Sequence, residues 1–347
     1  MTTLWYCLLV LMMTVYVLLD GFDIGAGIVH ALVARTDAER RTVLQAVGPF
    51  WDGNEVWLLA AGGTLYFAFP LLYAASFSGF YLPLMMVLWL LILRGVSIEF
   101  RSHFAEPLWR GLLDFGFSFS SVLLAVFLGA ALGNVLRGVP LDAQASFFEP
   151  LWTNFLPSGD TGVLDWYTVL AGVVSLLALG LHGCAYLAMK AEGEVRERSR
   201  QLGIRLCWAV LPLSLLALAA TVAVRPASIV SAHKPILWVF PPLVVVGLVA
   251  LHYCLKRGRD AAAFFSSCLY IVGILGGAAV ALYPYLLPAT THPENSLTIY
   301  NSATSSYAMK AALAWWPAGM VLATTWFYVV YRTFRGRVAA GSDETGY

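Results

Sequence analysis

Residues 1–19 read MTTLWYCLLVLMMTVYVLL and contain no charged side chain. A bilayer core of about 30 Å takes about 20 residues of α-helix, so this run is long enough to cross it. It lacks the basic n-region and the small-residue cleavage site of a removable signal peptide. The stretch therefore reads as a retained first transmembrane helix, and the rest of the chain has to be parsed as a membrane protein.

The composition agrees. Of the 347 residues 60% are hydrophobic and 12% charged, with a mean hydropathy of +0.75, whereas a soluble domain carries roughly 25% charged residues. A net charge of +1 provides no basic field for nucleic acid, and finger-like Cys/His spacing is absent, which sets nucleic acid aside as a partner. Cys7, Cys184, Cys207, Cys254 and Cys268 sit singly in apolar segments without a CxxC, and read as packing residues. The sequence contains no P-loop, dinucleotide fingerprint or nucleophile motif.

Apolar runs separated by charged or Pro/Gly/Asn-rich stretches predict nine spanning helices, at 4–33, 50–72, 78–100, 115–136, 165–188, 204–224, 236–255, 261–284 and 308–331. The expected fold is all-α and polytopic. A long, mostly uncharged connection at 137–164 divides it into a first four-helix bundle (1–136) and a second (165–284). Residues 285–347 then hold an outer loop, a peripheral ninth helix and a tail. Sixteen of the 21 Lys and Arg fall on one side of this alternation, including "RTDAERR" at 35–41 and "EVRERSR" at 194–200, and three on the other: Arg137, Arg225 and Lys234. By the positive-inside rule the N-terminus is outside and the C-terminus cytoplasmic.

Several charges do not suit a bilayer. Asp20 and Asp23 lie 16 to 19 residues into the first helix, about 25–28 Å deep at 1.5 Å per residue. Asp52 and Glu55, in "PFWDGNEVWLL" (49–59), come in the first turns of the second. Arg94, Glu99 and Arg101 come at the inner end of the third. Each acid pair is spaced three apart, which places it on one face of a regular helix. A charge in the membrane is costly and tends to meet a partner or water, and a single arginine cannot neutralise this many acids. Two readings stand side by side. The acids form a hydrated proton path open to the cytoplasm, or they are helix-start acids and structural ion pairs.

Histidine offers other chemistry, since a bis-His haem needs two imidazoles at one depth on facing helices. His103, His233 and His292 fall in or beside loops. His30, His182 and His252 lie toward inner helix ends, where bundle hydrogen bonding is the simpler role. His182 in "LGLHGCAYL" is the candidate to watch. The polar loop "TTHPENSLTIYNSATSSY" (290–307) reads equally as a docking surface or a solvated loop.

"LLDGFDIGAG", "GPFWDGNEVWLLAAGGTLYFAFP", "SGFYLPLMMVLWLLILRGVSIEFR", "NSLTIYNSATSS" and "VVYRTFRGRV" together resemble subunit II of the cytochrome bd-type quinol oxidases, including their cyanide-insensitive branch. The first three blocks cover most of residues 18–101. The resemblance implies a bacterial cytoplasmic-membrane oxidase that oxidises quinol and reduces dioxygen to water. In that family two haems b and one haem d sit in subunit I, and subunit II is a haem-free fold of two four-helix bundles plus a peripheral helix. It also implies a heterodimer, admits a single-helix accessory subunit, and leaves a structural quinone open. The family's proposed proton path, carried over by motif, falls on Asp20, Asp23, Asp52, Arg94 and Glu99. Glu55, Arg101 and His182 are weaker candidates: some members have Gln at the position of Glu55, and Asp at that of Glu99. A proton-coupled transporter, a self-sufficient b-type cytochrome and a purely structural scaffold remain the rival readings.

Overall fold

The structure is a computed structural model that describes residues 1–157, 160–225 and 235–339. His233, Lys234 and the last eight residues lie outside the described residues. Among the described residues there are eleven α-helices and one two-stranded sheet. The helices are α1 (Thr2–Val33), α2 (Asp37–Val47), α3 (Trp51–Ala68), α4 (Pro70–Gly79), α5 (Tyr81–Phe100), α6 (Pro107–Arg137), α7 (Trp166–Lys190), α8 (Gly193–Val224), α9 (Phe240–Lys256), α10 (Asp260–Leu282) and α11 (Ser306–Thr333). β1 (Tyr285–Leu287) pairs antiparallel with β2 (Leu297–Thr298).

Eight of these helices are each long and apolar enough to cross a membrane, and α3 with α4 supplies a ninth, broken span. The second predicted span, 50–72, is therefore not straight: the chain turns by 119° between α3 and α4. Pro70 is the cause. It has no N–H to continue α3, and it drives Phe69 out of helical geometry, to φ −134° and ψ 63°. Phe69 is fully buried in an apolar cluster with Trp5 and Leu72, which anchors the bend.

The connection read as a charged loop at 35–47 contains α2. Thr36 and Glu39 form a reciprocal capping box: Glu39 N–H donates to Thr36 Oγ1 at 3.3 Å and Thr36 N–H donates to Glu39 Oε2 at 3.1 Å. Val43, Leu44 and Val47 on its apolar face are buried against the bundle. Eleven residues are too few to span, so a search for apolar runs passes over such a helix. α6 and α8 also begin earlier than predicted, at Pro107 and Gly193, because their first turns project beyond the apolar layer and carry the charges.

α1 is the central helix, packing on α3, α6 and α7, while α7 also packs on α6, α8 and α10. Where α1 crosses α7 the backbones touch. A Cβ on Gly25 would collide with the Leu179 carbonyl and lie 2.7 Å from Gly183 N. Helices in a bilayer have no hydrophobic drive to associate, so such small-residue crossings let dispersion and close backbone packing hold them. α11 is peripheral, held to α3 by rings such as Trp57 and Phe327, 5.6 Å apart.

The charged connections gather at one end, the basic end. There Arg198 meets Glu39 at 2.9 Å, Arg196 and Arg200 each meet Asp260 at 2.6 Å, and Arg101 meets Asp37 at 2.8 Å. The tail pairs across the end of α7, with Val338 N–H donating to the Lys190 carbonyl at 2.9 Å. At the opposite end the buried Arg137 gathers the 137–165 connection. It donates to Glu149, Asp165, Asn134 Oδ1 and the carbonyls of Gly138 and Gly162.

Candidate functional site: a buried acid cluster

Toward the basic end, the interior of α1, α3 and α5 holds four of the singled-out residues. Asp20 and Asp23 stand one turn apart on α1, and Arg94 stands on the inner face of α5; all three side chains are fully buried. Arg94 Nη1 lies 2.7 Å from Asp20 Oδ1, and Nη2 donates to Glu55 Oε2 on α3 at 2.9 Å. One guanidinium thus joins three helices through its fork, a geometry that a lysine cannot reproduce. Three carboxyl groups face this single cation, and carboxyls in excess of their cation are groups that can take up and release protons.

Asn54 completes the arrangement. Its Nδ2 donates to Asp23 Oδ2 at 2.7 Å and to the Leu19 carbonyl at 3.3 Å, while its Oδ1 accepts from the hydroxyl of Tyr331 on α11 at 3.1 Å. The amide fixes the orientation of Asp23 and ties the peripheral helix to the cluster. Asn54 lies within "WDGNE", between the two acids that drew notice. A neutral amide adds nothing to a charge count, so neither this residue nor Tyr331 stands out in the sequence.

The other candidates lie apart. Asp52 and Glu99 are exposed on the surface of α3 and α5, beside exposed apolar side chains such as Val56, Leu59, Val96 and Phe100. Arg101 belongs to a second cluster. Its Nε donates to Asp114 Oδ1 at 2.7 Å, and the same carboxylate meets His30 Nε2 and Arg40 Nη1, both at 3.0 Å. Asp114 does not stand out in the sequence either, since it falls one residue before the predicted start of its helix.

His182 is buried with both ring nitrogens engaged. Nε2 donates to the Leu18 carbonyl at 2.9 Å and Nδ1 lies 2.7 Å from Ser267 Oγ, so the ring joins α7 to α1 and α10. His252 stands edge-on to Trp208, ring centres 5.5 Å apart. Among the described residues no group of three or more His, Cys, Asp or Glu is placed to hold a metal ion.

The sequence profile of a family described as "Cytochrome bd terminal oxidase subunit II" matches residues 1–334. The chain is 31% identical to "Probable cytochrome oxidase subunit 2" of Haemophilus influenzae, over 97% of this chain and 95% of that protein. It is 32% identical to "Cytochrome bd-I ubiquinol oxidase subunit 2" of Escherichia coli, over 94% of this chain and 92% of the relative. Among solved structures it resembles a chain of the bd oxidase from Geobacillus thermodenitrificans, with a TM-score of 0.64 over 96% of this chain and 98% of that one. Sequence identity there is 13%, so that likeness speaks to the fold alone.

Proposed function

The chain belongs to the cytochrome bd terminal oxidase subunit II family, making it a multi-pass membrane subunit of a quinol oxidase complex, and from that premise we propose that its work is to conduct protons. It does no redox chemistry itself. It dimerises with a haem-bearing subunit, takes protons from the cytoplasm at its basic end and passes them toward the site of oxygen reduction. Proton consumption from that side, with quinol protons released on the other, makes a membrane potential.

The observation that carries this reading is the cluster of the buried Asp20 and Asp23 and the half-buried Glu55 around the buried Arg94 and Asn54, inside helices apolar enough to span a membrane. Buried ionisable groups at membrane depth are expensive and mark ion or proton pathways. Asp20 and Asp23 are the carriers, Arg94 biases them electrostatically, and Asn54 holds Asp23 in place. Asp52 and Glu99, exposed on an otherwise apolar face of α3 and α5, are acids that a partner subunit would cover and use. A haem in the partner would supply the oxygen chemistry.

The test is Asp20→Asn and Asp23→Asn in the oxidase purified through a tag on this chain, with haem content, oxygen consumption and proton uptake measured together. Turnover and uptake are expected to fall on the order of a hundredfold with all haems in place, the size of effect seen on losing a proton-transferring group. Full turnover and uptake in both variants would leave the scaffold reading in its place. A complex with no haem-bearing partner would overturn the subunit assignment itself.

A further inference from the structure

The acid cluster continues toward the basic end through the interior of α1, α5 and α6. On α1, Asp20, Asp23, Gly27 and His30 follow at spacings of three, four and three, which keeps them on one face of the helix. Arg94 and Ser97 on α5, with Arg101 in the turn just past its end, are spaced in the same way. All seven positions are buried. α6 closes the column with Asp114 at its outer end and Ser121 farther in, both buried.

The outer end reaches the surface. Asp114 Oδ2 accepts from Arg40 Nη1 at 3.0 Å, and the Arg40 side chain is 36% exposed. Inward from there the two serine hydroxyls stand against glycines. A Cβ on Gly27 would collide with Ser121 Oγ, and one on Gly116 would lie 2.5 Å from Ser97 Oγ. Among the described residues His30 Nδ1, Ser97 Oγ, Ser121 Oγ and Asp23 Oδ1 are buried without a hydrogen-bond partner. Buried polar atoms that lack protein partners are the usual sites of ordered water where there is room for it. Here Ser97 Oγ and Ser121 Oγ fall between two clusters of ionisable groups, and His30 Nδ1 and Asp23 Oδ1 belong to one cluster each. His30 and Asp23 are seven residues apart, roughly 10 Å along the helix axis at 1.5 Å per residue, a gap that a short file of waters spans.

The geometry points to an internal proton intake: protons reach Asp23 and Asp20 from the Asp114 cluster through His30 and water held by Ser121 and Ser97, within this chain. This rests on the proton-conducting reading and gives it a route separate from the exposed Asp52 and Glu99. His30, whose Nε2–H donates to the Asp114 carboxylate, takes a proton at the unpartnered Nδ1 and releases it inward from the same nitrogen, so its charge and tautomer are both restored after each passage. Along the hydroxyls and waters each O–H bond breaks as the next forms, and Asp23 finishes as the carboxylic acid. No electron moves and no co-reactant is consumed.

The test uses the assembled oxidase in liposomes, with haem content, oxygen consumption and proton uptake measured for His30→Gln, for the pair Ser97→Ala and Ser121→Ala, and for Asp23→Asn as reference. Gln keeps a hydrogen bond to Asp114 but cannot carry a proton. His30→Gln is expected to slow uptake on the order of tenfold at unchanged haem content, the low side of what a proton-transferring side chain contributes, and the serine pair to slow it several-fold. Wild-type uptake in the serine pair and in His30→Gln, with Asp23→Asn still blocked, would overturn the internal intake and leave the relay standing. Wild-type uptake in all three would overturn both. If His30→Gln does not assemble, the serine pair decides.

Discussion

Arg94 and Asp20 meet at 2.7 Å with neither side chain exposed to solvent. Removing one member of a buried ion pair strands the other charge, at a cost of about 3–5 kcal/mol. Arg94→Met is therefore expected to lower the yield and melting temperature of the purified complex sharply. Arg94→Lys should recover only part of the loss, because one ammonium cannot serve both Asp20 and Glu55 through a fork. Thermal unfolding in detergent checks both; equal stability of Arg94→Met and wild type would show that the pair contributes nothing.

The α1–α7 crossing predicts a sharp contrast among glycines. Gly25→Ala puts a methyl group into the Leu179 carbonyl and against Gly183 N, and two backbones have to separate to admit it. This variant is expected to abolish stable folding. Gly62→Ala and Gly63→Ala on α3 meet nothing within 4 Å in this chain and should leave its folding intact. Expression level and monodispersity of the three variants measure the difference.

Asn54 and Tyr331 predict a graded pair. Tyr331→Phe removes one hydrogen bond to Asn54 Oδ1 and is expected to cost about 1 kcal/mol. Asn54→Leu also leaves Asp23 Oδ2 without its donor and should cost more, about 2–3 kcal/mol. Comparing the melting temperatures of the two variants tests the order; a larger effect from Tyr331→Phe would contradict it.

Glu39 carries a pH prediction. Burial raises the pKa of its carboxyl, but hydrogen bonds from the backbone of Arg35 and Thr36 and from the Arg198 side chain outweigh this and hold it below the usual range. A carboxyl with a lowered folded-state pKa contributes stability that is present above its unfolded pKa and lost as pH falls through the folded value. The stability difference between wild type and Glu39→Gln should be full at neutral pH, begin to fall near the unfolded carboxyl's value of about 4.3 and vanish once pH is below the lowered folded value. A difference independent of pH would mean that the ionised form is not what holds α2 to α8.

At the opposite end Arg137→Ala leaves Glu149 and Asp165 buried without their cation, a loss of about 3–5 kcal/mol. It is expected to open the 137–165 connection. Limited proteolysis should cut this segment faster in the variant than in wild type, while the transmembrane core stays protected.

The elements that were legible in the sequence are those made of long apolar runs. The first helix and the other long spans, the peripheral last one included, follow from span length and from charged or polar breaks, because a bilayer demands about 20 apolar residues whatever their partners. The break at Phe69 and Pro70 and the short helix α2 were not legible in that way. One is decided by a single imino acid in an apolar run, the other by a capping box outside the membrane. Among the site residues, Asp20, Asp23 and Arg94 were visible because charge is rare in such segments. Glu55 ranked low, yet it accepts from Arg94, whereas Asp52, ranked above it, is exposed. Helical spacing tells which acids share a face, but not whether that face meets another helix or the outside.

By itself the sequence determined the class of this protein, the approximate places of its apolar spans and the presence of ionisable groups within them, because these depend on local composition and on the thickness of a bilayer. Only the tertiary structure decided which acids share Arg94, that Asn54 and Tyr331 hold Asp23, and that His30 faces Asp114. Those contacts join residues far apart in the chain, and they are set by how α1, α3, α5, α6 and α11 rotate and cross, with glycines such as Gly25 admitting one backbone against another.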